Sequence, residues 1–234
     1  MQTALLDNVA HGDLRLRRAY GAQYGDPAGQ VEILLPEIPQ IQREFPILFS
    51  RNSEGALRPL AILGLEPQEL LFTRDGEWDA RYVPSLIQKG PFLLGASDSD
   101  DPVVHIVLDH PKLTQDPQAS DPLFRPHGGH APALENALDA LRMVHTGLEN
   151  TRRMTKALDE AGLIRPLAID VQVSDTKSVK FDNFHAVLPE AVQDLPEEKL
   201  VALNRLGFLQ PAMLIAHSLG NMNDLVKRKR MREN

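Results

Sequence analysis

The sequence contains no cysteine. That absence excludes disulfides, thiol catalysis, cysteine-ligated zinc and iron–sulfur clusters together, and gives no support to a disulfide-stapled secreted scaffold. Long apolar runs are lacking too. The most apolar stretch, Pro211 to Leu219, falls far short of the roughly 20 residues that a bilayer-spanning helix needs. Met1-Gln2-Thr3-Ala4-Leu5-Leu6-Asp7 has no basic segment and no continuous apolar one, so it does not read as a secretory signal. A soluble cytoplasmic protein without a membrane span is expected. There is no P-loop and no Gly-rich dinucleotide fingerprint, since Gly128-Gly129 alone cannot make one.

What is present is a globular composition. The 234 residues are 42% hydrophobic and 24% charged, enough for one large domain or two small ones. The net charge of −7 is uneven: Lys227 to Asn234 holds five Lys/Arg against one Glu, a net +4, leaving −11 on the other 226 residues. An acidic body is a poor nucleic-acid surface, because affinity there rests on neutralising phosphates. The basic tail reads either as a contact for an acidic partner or as the dipole-matched end of a helix. On either reading, truncation after Val226 is expected to leave the fold intact, because the removed segment is almost wholly charged.

Along the chain, residues 1–30 are polar and Gly-punctuated, with Leu14-Arg15-Leu16-Arg17 alternating like an edge strand blunted by arginine. Leu35 to Glu44 has helical spacing, ended by Pro46. Strands are expected at Pro46–Ser50, Arg58–Leu65, Leu70–Thr73, Phe92–Ala96 and Val103–Leu108, with a short helix at Tyr82–Lys89. The turn joining the last two strands is Asp98-Ser99-Asp100-Asp101-Pro102. The longest helix runs from His130 to Glu160 and stops at Gly162. Its apolar stripe is expected against the protein's own sheet, with a homodimer as the alternative. A strand pair at 164–174 and 178–187 follows, then helices from Pro196 to Leu206 and from Pro211 to Arg230. Strands, helix, strands and helices in that order predict an α+β fold: small, mainly antiparallel sheets packed against one long central helix and a C-terminal helical segment. The predicted organisation is a peripheral segment, 1–30, and a single domain, 31–234.

Several motifs bear on chemistry. Ala216-His217-Ser218-Leu219-Gly220 approaches the G-x-S-x-G nucleophile elbow, but Ala216 replaces the first glycine and no histidine follows to complete the triad order. His105, Asp109, His127 and His130, with His110 among them, are candidate ligands for zinc or iron, although His105 and His110 would face opposite sides of one strand. Asp98, Asp100 and Asp101 resemble a calcium loop without its glycine or its closing glutamate. Trp78, the sole tryptophan, stands near Arg81 and Tyr82; the three form either a ligand pocket or a sheet-to-helix corner with Trp78 buried in the core. No catalytic residue and no cofactor is assigned.

Glu44-Phe45-Pro46-Ile47-Leu48-Phe49, Leu60 to Leu65, Glu69-Leu70-Leu71-Phe72, Gly76-Glu77-Trp78 through Tyr82-Val83-Pro84 to Gly90-Pro91-Phe92, Asp121-Pro122-Leu123-Phe124 and Phe181 to Val187 occur in an order that resembles the SapC family of bacterial proteins. The resemblance covers nearly the whole chain from about residue 31. Common members carry an acidic, Gly-containing loop where this chain has His127-Gly128-Gly129-His130. The resemblance implies a non-catalytic accessory role in an envelope or uptake system. The implied partner is a protein, such as an envelope or uptake component or a neighbouring oxygenase or halogenase. The alternative is a metal- or small-molecule-dependent enzyme, or a ligand-binding protein, with its site near the histidine-rich loop 105–130.

Overall fold

The computed structural model describes residues 1–95, 103–174 and 177–233. Ala96, the turn at Asp98–Pro102 with its calcium-like aspartates, and Asp175-Thr176 lie outside the described residues. In chain order the elements are β1 (Thr3–Leu5), β2 (Arg15–Arg17), β3 (Gln30–Glu32), α1 (Ile38–Ile41), β4 (Ile47–Arg51), β5 (Leu57–Ile62), β6 (Thr73–Arg74) and β7 (Glu77–Trp78). Then come α2 (Ser85–Gln88), β8 (Phe92–Gly95), β9 (Val103–Val107), β10 (Leu113–Thr114), β11 (Ser120–Pro122) and the long α3 (Pro132–Glu160). The chain continues with β12 (Ile164–Gln172), β13 (Ser178–Val187), α4 (Pro189–Gln193), α5 (Glu197–Arg205), α6 (Leu209–Ser218) and α7 (Met222–Glu233). The fold is α+β, and every strand pairing is antiparallel.

The chain forms two compact units, each discontinuous: residues 1–27 with 73–145, and residues 28–72 with 146–234. From the sequence alone, residues 1–30 are expected apart as a peripheral segment and 31–234 together as one domain. Residues 1–27 supply a strand to each of two sheets, and the domain expected from residue 31 divides within α3.

In the first unit, β1-β9-β8 and β10-β2-β11 are three-stranded sheets. β2 is central, not an edge. Arg15 Nε–H donates to Ser120 Oγ on β11 at 3.0 Å, and Arg17 Nε–H to Pro111 carbonyl at 3.2 Å. Leu134, Leu138 and Leu141 of α3 share a buried cluster with Phe92, Ile106 and Leu123, so this part of the stripe is covered within the unit. Polar groups are buried beside it. Lys112 Nζ lies 2.6 Å from Asp26 Oδ1 and 4.1 Å from the centre of the Tyr20 ring. Burial pushes the Asp26 carboxyl up and the Lys112 amine down, each opposed by the other's charge.

The second unit holds a five-stranded sheet, β12-β13-β4-β5-β3. Thr151 on α3 fastens the helix to residues 34–35, accepting from Leu35 N–H at 2.8 Å and donating to Gly147 carbonyl at 2.7 Å. Gly147 lets the helix approach closely here: a Cβ would sit 3.2 Å from the Leu34 side chain, which would have to give by a few tenths of an ångström. Leu70–Phe72, expected as a strand, is a buried turn: Gly64 lets the chain double back so closely that a Cβ there would lie 2.4 Å from Glu69 carbonyl oxygen. The predicted helix 35–44 reduces to a 3-10 turn followed by α1, since Pro36 and Pro39 remove donors.

Candidate functional site

Trp78 is half-buried and absent from the core. Its ring packs 5.3 Å from that of Tyr20, and its Nε1–H donates to Tyr82 carbonyl at 2.9 Å. The structure thus brings Trp78 and Tyr82 together through a backbone bond, as a strand-to-helix corner. Tyr82 hydroxyl lies 3.9 Å from Met143 Sδ, and Arg81 is exposed.

The histidine-rich candidates do not converge: no group of three or more His, Asp or Glu suited to a metal occurs among the described residues. His105 on β9 is packed over Gly95, where a Cβ would meet its ring at 2.5 Å. Asp109 accepts from Gln2 N–H at 3.0 Å and sits 3.4 Å from the terminal ammonium; that backbone bond foremost holds its carboxyl below the ordinary range. His127 and His130 are exposed, and His130 lines a cavity of about 440 Å³ with Leu5, Val104 and Phe124. The His217-Ser218 motif is part of α6 rather than a strand-to-helix elbow. Ser218 is fully buried; its hydroxyl accepts from Ile47 N–H at 2.9 Å and donates to Ile215 carbonyl at 2.6 Å. Its bonding is structural.

The richer constellation lies in the second unit and was not singled out from the sequence. It begins at the β4–β5 hairpin. Asn52 Oδ1 accepts from the N–H groups of Glu54 and Ala56, and Gly55 takes φ 79°, which shapes a tight turn. Arg51 Nη1 donates to Gly55 carbonyl at 2.8 Å. One step inward, Arg58 pairs in register with Ser50, and its Nη1 lies 3.4 Å from Glu32 Oε2. Arg58 Nε is nevertheless buried without a hydrogen-bond partner, and so is His185 Nδ1 on β13. Both residues line one cavity of about 560 Å³, with Arg51, Ser50, Gln30 and Phe184.

The strand pair β12–β13 roofs an adjoining space. Only His185 of β13 is in register with β4, and the β12–β13 pairing shifts between Leu167 and Ile169. Beyond that point Val179, Phe181 and Phe184 share a cavity of about 330 Å³ with Gln30, Ile62 and Leu65. β13 and β3 are not neighbours in the sheet, so this arm lies over its face. The two cavities share Gln30 and Phe184 in their walls, one end arginine-lined and the other apolar.

The tip of the arm is clamped by the basic tail. Arg230 Nε–H donates to Val173 carbonyl at 2.7 Å, and Lys177 Nζ bridges Glu66 at 2.8 Å and Glu233 at 3.2 Å. Lys229, only 6% exposed, lies 2.6 Å from Glu69, and Arg228 stacks 4.5 Å from the centre of the Phe72 ring. Hydrogen bonds from Lys177 lead in holding the Glu66 and Glu233 carboxyls below their ordinary values, and Lys177 itself is raised to about 12 by Glu66 and Glu233. Burial opposes charge on Lys229, but Glu69 and Glu66 outweigh it and its amine is raised. The tail is the end of α7, the helix-end reading of the basic segment, and its side chains bond to Glu69, Val173 carbonyl and Lys177.

A family model, SapC, matches residues 6–225. No curated protein and no solved structure matches the chain.

Proposed function

The chain belongs to the SapC family, and on that premise we propose that it works by binding rather than by turnover, as a non-catalytic accessory protein of a bacterial envelope or nutrient-uptake system, located in the cytoplasm and recognising a protein partner. The observation that supports this reading most is the engagement of Ser218, the nearest approach to a nucleophile motif, in two backbone hydrogen bonds inside the second unit. A hydroxyl fixed in that way holds two segments together and is shielded from substrate. No helix among the described residues is long and apolar enough to cross a membrane.

The reading is tested by fractionating a native lysate and cross-linking the chain to whatever travels with it. The expected result is a complex of defined stoichiometry whose purified partner rebinds with a Kd in the micromolar range or below. Elution of the chain as free protein throughout, with no cross-link recovered above background, would defeat it.

A further inference from the structure

A guanidinium cannot satisfy itself by losing its proton, so an unpaired Arg N–H is an obligate donor waiting for an acceptor. Leaving such a donor unmet in the interior is costly, more so when it is charged. Arg58 Nε is in that state, and His185 Nδ1, also buried and unpartnered, shares its cavity wall. Arg51 adds a second guanidinium to the wall, against one carboxylate, Asp182, among the described lining residues. Glu32 offsets part of the Arg58 charge through Nη1 at 3.4 Å, but the guanidinium N–H groups left over, set in a planar fork, are the donors best shaped for a carboxylate or phosphate.

The other end has the opposite character. Across the shared Gln30 and Phe184, the wall is mainly apolar, with Ile62, Leu65, Phe181 and Val179 beside Glu66 and Lys180. Volumes of about 560 and 330 Å³ are each within the range of small-molecule sites. A charged end and an apolar end in adjoining spaces define a ligand with the same two parts.

We infer that the cleft between the β12–β13 arm and the sheet face binds a small amphipathic oxyanion, its charged group on Arg58 and His185 and its apolar body against Phe184 and Phe181. The inference is independent of the protein-partner reading, since it concerns a cleft in one unit and a small molecule.

The test titrates decanoate, decyl phosphate and decanol, each below its micellar concentration, into the full purified chain by calorimetry. Decanoate or decyl phosphate should bind one per chain, and decanol about tenfold more weakly, for want of the charge-assisted bond. Whichever anion binds tighter identifies the head group as carboxylate or phosphate. Arg58→Lys keeps the charge and the Glu32 pairing but removes Nε–H; it should weaken the anion about tenfold with an unchanged melting temperature. Phe184→Ala should weaken both anions and decanol. In the unaltered chain the Arg58 Nε–H resonance should move downfield on adding the anion, a readout that needs no variant. Equal binding of decanol and the anions, indifference to Arg58→Lys, a stationary Nε–H resonance, or no saturable binding at millimolar concentration would each overturn the proposal.

Discussion

Lys112 Nζ and Asp26 Oδ1 lie 2.6 Å apart, with 4% and 3% of their side chains exposed. Both shifts run against the charged forms, which says that desolvation weighs more than attraction at each group. Removing one partner should therefore be far worse than removing both. Lys112→Met is expected to cost about 3–5 kcal/mol by stranding the Asp26 carboxylate, whereas Lys112→Met with Asp26→Leu should recover most of that loss. Urea denaturation of the single and double variants measures it; equal costs would show that the pair is not coupled.

Truncation after Val226 should release the arm. It removes Lys229 from Glu69, Arg230 from Val173 carbonyl and Glu233 from Lys177. Amide exchange in residues 164–187 should accelerate, and the melting temperature should fall. Unchanged exchange in that segment would mean that the arm is held by its own strand pairing alone.

The same clamp has a pH window. Glu66 and Glu233 titrate below the ordinary 4.5, so their contribution is complete above that value and is lost as pH falls through the depressed range. Lys177 titrates at about 12 against an ordinary 10.5, so its contribution is complete below 10.5 and disappears as pH rises through 12. Arm exchange, corrected for intrinsic rates, should be slowest between those limits and should rise on the acid side. Because these groups are exposed, molar salt should blunt the effect.

Ser218→Ala should destabilise the second unit by about 1–3 kcal/mol, because Ile47 N–H is left buried without its acceptor. Ligand binding in the cleft should survive at temperatures where the variant remains folded. Loss of binding with undiminished stability would give Ser218 a role beyond structure.

Much of the architecture was legible. Apolar spacing from Leu134 to Leu158 and the stop at Gly162 place α3 within two residues of its observed start, and the alternation Leu167/Ile169/Val171 marks β12. What failed was context. Arg15 and Arg17 look like edge protection, yet β2 is central, with Ser120 supplying partners for the Arg15 guanidinium and Pro111 carbonyl one for that of Arg17. Leu70–Phe72 is apolar enough for a strand, but a turn buries it as well. Trp78, expected to anchor the core, is half-buried outside it and packs against Tyr20. The arginine-lined cleft was the hardest to see. Arg51 and Arg58 sit in an ordinary hairpin pattern, His185 lies more than 120 positions away, and nothing local shows that Arg58 Nε lacks a partner. The histidine cluster had the opposite fault: near in sequence, it is not gathered in space.

Each unit is assembled from two separated stretches of chain, and that sets an order on biosynthesis. The first unit has all its residues once position 145 has left the ribosome, but Ala28–Phe72, already made, must wait for strands and helices still to be translated. Lys229 meets Glu69 across 160 positions. Contacts of such long range are slow to form, and unpaired strand edges are exposed until they do. A nascent chain stalled between residues 145 and 229 should therefore be the species most in need of a chaperone, with the strands of the second sheet uncovered and the helix that clamps its arm not yet made.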